Sequence, residues 1–258
     1  MAIYLLLAAP LVYLVVVDVV SRGELSFSGT DARTTLAPAV KGALSYIVVF
    51  LILVIVRDLM ERQYTPGGLY LYHFLLDYAI PVGVGLPFLL LSLRQLKRES
   101  DRALLVAATG FFAGLFFVAA IADLVSAGRF LNPRVLFLLP TNRVVLMTVL
   151  PLLGIVFMRE ATTSRYLFLA GAVLLPAVVA LPAMLFVLNY HIAAYLVTGV
   201  FAGLALLFYL ATFVSYFGSD IGTGSRPSTG ESRVSRSPRA RSSVPASAPS
   251  DSGSEESE

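Results

Sequence analysis

The sequence predicts an all-α fold: a polytopic membrane bundle of about seven transmembrane helices over residues 1–218, then a disordered tail over residues 219–258. Three observations lead there. Only 14% of the residues are charged and 57% are hydrophobic, whereas soluble domains carry about 25% charged residues. Several apolar runs reach the ~20 residues that a helix needs to cross a bilayer, and the mean hydropathy is +0.82. After Gly218 the composition turns abruptly to Ser, Gly, Pro and charge. Such a segment cannot bury enough surface to offset its ordering entropy.

Span one, residues 1–20, is apolar apart from Asp18. No basic residue precedes Arg22, so it reads as a retained helix rather than a cleaved secretory signal. A polar loop, 21–37, leads to span two, about 44–60, which closes on Arg57 and Asp58. Thr65-Pro-Gly-Gly68 is a turn signal. Span three, about 69–93, holds His73, Asp77, Pro81 and Pro87, and loop 94–102 is the most basic short loop. Span four, about 103–127, carries Gly110 and Gly114 in GxxxG spacing and Asp123 near its end. Residues 135–139 form a short apolar piece cut by Pro140. Span five, about 144–158, then starts beside Arg143; a longer or broken helix would put Arg143 at depth. Span six, about 166–188, contains Pro176 and Pro182. The link Asn189-Tyr190-His191 is so short that span seven, about 192–217, must be an antiparallel neighbour. Span seven repeats the GxxxG spacing at Gly199 and Gly203. Both glycine pairs are expected to be close-packing surfaces, within the bundle in the first instance or else between protomers.

Lysine and arginine set the orientation of such a chain. With seven spans, an outer N-terminus puts Arg22, Arg33, Lys41, Arg94, Lys97, Arg98, Arg102, Arg159, Arg165 and the tail arginines on the cytoplasmic side. The expected location is therefore a cell membrane, multi-pass, with the C-terminus cytoplasmic. The overall charge of +3 reflects these flanking loops, and no nucleic-acid partner is expected. The bilayer is the expected partner, joined by a membrane or cytoplasmic protein if the tail recruits one. A weak internal similarity accompanies this topology. Pro81 and Pro87 are six apart, as are Pro176 and Pro182, each second proline follows a Leu, and the next span carries GxxxG. Spans two to four and five to seven would then be inverted repeats, an arrangement used by secondary transporters.

The chemistry available is limited. There are no cysteines, which excludes disulfides, thiolate metal sites and Cys nucleophiles. Two histidines are too few for a catalytic zinc site, no GxSxG-like turn is present, and no cofactor is expected. What remains is charge at depth, which is expensive in a bilayer and marks function. His73 and Asp77, four apart, share one helix face. At 1.5 Å per residue they lie roughly 12 Å and 6 Å from the middle of span three. Arg57, Asp58, Asp123 and Arg143 fall in the same outer layer. The expected function is a transporter-like or permease-like protein with an outward-facing polar site, in which these six residues respond to a proton or a ligand. A membrane sensor or assembly subunit is the alternative. A lipid-acting enzyme with Asp77 and His73 as acid and base is the least favoured reading.

Overall fold

A computed structural model describes residues 2–21, 35–60, 65–96, 101–127, 134–159 and 162–217. The tail expected over 219–258 lies outside the described residues. Among those described, every regular element is a helix. The chain runs through α1 (Ala2–Ser21), α2 (Leu36–Leu59), α3 (Pro66–His73), a π-helical turn (Phe74–Ala79), α4 (Ile80–Gln95) and α5 (Asp101–Ala127). A second π-helical turn (Arg134–Leu138), α6 (Leu139–Arg159), α7 (Thr162–Val187) and α8 (His191–Phe217) complete it.

Among the described residues, six rods are long and apolar enough to cross a membrane: α2, the continuous rod from Pro66 to Gln95, α5, the rod through α6, α7 and α8. The first expected span, residues 1–20, is the helix Ala2–Ser21, apolar over all but Asp18 and Ser21. Its 20 residues make it about 30 Å long, the thickness of the hydrocarbon core.

Two boundaries differ from the sequence reading. α2 begins at Leu36, so Pro38 and Lys41 belong to the helix and not to a loop. Proline is tolerated in a first helical turn because its missing N–H has no intrahelical acceptor there. The fifth span does not begin at residue 144. It continues back through Pro140 into the π-turn at Arg134–Leu138. Pro81 and Pro140 each follow a π-turn by two residues. In an α-helix a proline ring clashes with the carbonyl four residues back. Those carbonyls belong to Asp77 and Leu136, both inside a π-turn, where the wider ring relieves the clash.

α5 is the centre of the bundle. It packs against α1, α2, α4 and α6, and its Phe111, Phe112 and Phe116 are buried. α2, the Pro66–Gln95 rod and α5 pack on one another, as do α6, α7 and α8. The two rods whose prolines are six apart meet each other, with α7 lying on α3 and the π-turn that follows α3.

The glycine pairs behave differently. A Cβ on Gly114 would sit 1.9 Å from the Ala39 carbonyl oxygen, and one on Gly42 would sit 1.9 Å from that of Phe111. α2 and α5 therefore cross backbone to backbone. A Cβ on Gly110 would lie 3.0 Å from the Tyr13 ring of α1. Gly199 and Gly203 have nothing within 4 Å of a Cβ position. Their expected packing inside the bundle is thus corrected: α8 turns the opposite face inward, through Ala194, Thr198 and Ala205.

The α7–α8 link is as short as expected. Tyr190 N–H donates to Leu185 O and Asn189 N–H to Phe186 O, with Asn189 at φ 66°. This is a Schellman cap, with Asn in the left-handed position.

Candidate polar site between four helices

The Pro66–Gln95 rod starts where Thr65 caps it. The Gly68 N–H donates to Thr65 Oγ1 at 3.2 Å, with Pro66 at the first helical position. His73 closes α3 one turn before Asp77, which the π-turn carries. His73 is 1% exposed, and its Nδ1 lies 3.1 Å from Asp77 Oδ2. The Tyr72 ring stands edge-on to the imidazole, 5.4 Å away.

Asp77 then faces a cavity of about 240 Å³, which Arg57, Asp58, Asp123, Arg143 and Tyr46 also line. The contributing elements are α2 from Tyr46 onward, the first π-turn with the start of α4, the end of α5 and the start of α6. Five of the six charge candidates read from the sequence meet here. His73 does not line the cavity and reaches it only through Asp77. Arg57 and Asp58 are exposed at the mouth.

Arg143 is the deep charge. It is 5% exposed, and its Nη1 contacts Asp123 Oδ2 at 2.6 Å. Its guanidinium carbon lies 6.0 Å from the Phe116 ring centre, within cation–π range. Among the described residues its Nε has no hydrogen-bond partner. The sequence left two placements for Arg143, the outer start of a short span or depth in a longer helix; the longer helix forms, and Arg143 sits inside the bundle.

A second polar layer adjoins the cavity. Asn142 Nδ2 donates to Tyr78 Oη at 2.9 Å and to Val179 O at 3.1 Å. Tyr70 Oη donates to Ala177 O at 2.8 Å. Val179 O lies three residues before Pro182, whose missing N–H and bulky ring open that part of the helix to outside donors. Sequence reasoning missed Tyr46, Tyr78 and Asn142. The available signal was Asn142 beside Arg143: joining residues 134–139 to 144–158 in one helix puts both at depth.

Chemically, three carboxylates and two guanidinium groups share one small cavity, with an imidazole behind one carboxylate. The arrangement can exchange a proton and can bind a solute with complementary charge. Among the described residues no group of three His, Asp or Glu side chains is placed to hold a metal ion. No protein-family model matches the chain, and neither the curated proteins nor the solved structures contain a match.

Proposed function

We infer that the protein is a membrane carrier that takes a small, positively charged or zwitterionic solute in this cavity and couples its passage to a proton. The carrying observation is the convergence of Asp77, Asp123 and Arg143 from three rods on one cavity. Ionisable groups inside membrane helices mark ion and proton pathways. The excess of carboxylate over guanidinium favours a cation, and the volume is below the ~300–1,000 Å³ typical of drug-sized sites.

Each side chain has a role in this reading. Asp77 exchanges the proton, and His73 Nδ1 behind it holds the carboxylate in position. Asp123 holds Arg143, which leaves Nε to meet an oxygen of the solute. The pairing of the Pro66–Gln95 rod with α7 beside the site supports a rocking or hinge motion there, as in carriers built from discontinuous helices. The cavity opens to the outer face in the orientation set by the basic loops.

The absence of cysteine makes the test direct. Single-cysteine variants Leu53→Cys and Ser126→Cys, both on the cavity lining, should react with a membrane-impermeant thiol reagent added outside. In reconstituted vesicles, a panel of cationic and zwitterionic solutes should include one that drives proton movement, read by a trapped pH dye. Asp77→Asn should abolish that movement without lowering thermal stability by more than a few degrees. Unreactive thiols, together with no solute-dependent proton flux from the whole panel, would overturn the reading.

A further inference from the structure

We propose that the groove between the first half of α2 and the last half of α4 is a binding site for an anionic glycerophospholipid. It lies at the opposite end of these helices from the charged cavity. Its volume is about 330 Å³.

The groove grades from polar to apolar as a phospholipid does. At its mouth Lys41 Nζ donates to Gln95 Oε1 at 2.8 Å. An ammonium has three N–H donors, and this bond uses one. One turn deeper stand Ser45 and Ser92. The Ser92 hydroxyl is 4% exposed and has no hydrogen-bond partner among the described residues. Leaving a buried hydroxyl unpaired is costly, and a phosphate or ester oxygen from the groove would satisfy it. Ser45 already donates to Gly42 O at 2.7 Å, so its oxygen stays as an acceptor for a headgroup hydroxyl. Beyond the serines the walls are Val48, Phe88 and Leu91. Lys41 to Val48 spans about 10 Å along the helix, comparable to the step from headgroup to upper acyl chain.

Charge selects the headgroup. The lining contains one cation and no carboxylate, and Arg94 adjoins Gln95 in the last turn of α4. A basic residue at a membrane surface favours an anionic lipid by roughly fivefold. A site at this end draws anionic headgroups whichever leaflet it faces, so the proposal stands apart from the carrier reading.

The test uses the full chain, which has no tryptophan, so one inserted indole reports one place. Phe88→Trp puts a reporter inside the groove, and Leu196→Trp puts one on the exposed face of α8. Each variant goes into vesicles of phosphatidylcholine mixed with phosphatidylglycerol, with bromine on the acyl chains of one lipid at a time. Quenching of the groove indole should show a roughly fivefold stronger preference for phosphatidylglycerol than quenching of the α8 indole. Lys41→Gln combined with Phe88→Trp should bring the groove preference down to the α8 value, and Ser92→Ala should weaken it. Equal preference at both reporters overturns the proposal, as does a groove preference that survives Lys41→Gln. So does absence of quenching in the groove by either lipid, which would mean that a protein surface fills it.

Discussion

The α2–α5 crossing is the part of the bundle where one methyl group should do the most damage. In Gly114→Ala the new Cβ would lie 1.9 Å from Ala39 O, and in Gly42→Ala it would lie 1.9 Å from Phe111 O. Carbon atoms rest about 3.3 Å or more from a carbonyl oxygen, so the helices would have to part by about 1.4 Å. Neither obstacle can rotate away, because both are backbone. A gap of even 0.5–1 Å forfeits about a quarter to a half of the dispersion energy of the facing atoms. This loss matters more in lipid, where packing rather than water exclusion drives helix association. Each substitution should therefore cost about 2–3 kcal/mol, the upper part of the range for overpacking. The double variant should cost less than the sum, since the first substitution already separates the helices. Gly199→Ala and Gly203→Ala are the internal controls. They have no neighbour within 4 Å, so they should fall within about 0.5 kcal/mol of the parent. The assay is reversible unfolding in mixed micelles by titration with a denaturing detergent, followed by far-ultraviolet circular dichroism. If Gly42→Ala and Gly114→Ala unfold like the Gly199 and Gly203 variants, the backbone crossing is wrong.

Three further outcomes follow from the polar contacts and one turn. Asp123→Asn leaves the Arg143 guanidinium without its counter-charge in a buried setting. This should cost about 3 kcal/mol, the lower end for a broken buried pair, because Asp123 is itself 29% exposed. Adding Arg143→Met should recover most of the loss, and the same unfolding titration reads both. Tyr78→Phe removes the hydroxyl that accepts from Asn142; the expected cost is about 0.6 kcal/mol, the average for interhelical hydrogen bonds in membranes. At the α7–α8 turn, Asn189→Ala should lower stability by about 1 kcal/mol, because a left-handed residue with a plain Cβ is strained. Asn189→Gly should be neutral or slightly stabilising, and thermal unfolding of the pair distinguishes them.

Much of the fold was legible because the bilayer leaves few choices for an apolar run. A membrane-spanning apolar stretch must satisfy its backbone internally, so a helix is required. The α7–α8 hairpin was legible for a similar reason, since so short a link leaves only the antiparallel arrangement. The start of the fifth span was not. Pro140 reads as a breaker when viewed locally, and the π-turn that absorbs it depends on packing against α1 and α7. The glycine pairs show the same limit. Gly110-x-x-x-Gly114 and Gly199-x-x-x-Gly203 are indistinguishable as strings, and yet one pair lies in the crowded centre and the other looks outward. Gly42, the true partner of Gly114 across the crossing, has no GxxxG spacing to announce it.

The candidate site divides in the same way. Charge and depth along each helix follow from the sequence, because rise per residue is constant. That was enough to put Arg57, Asp58, Asp77, Asp123 and Arg143 in one layer. Azimuth is a different matter. Which face each helix turns to its neighbours depends on the whole set of contacts, and a π-turn shifts the phase of everything after it. Only tertiary structure could therefore gather those five side chains around one cavity, keep His73 behind Asp77, and bring Tyr46 in beside them.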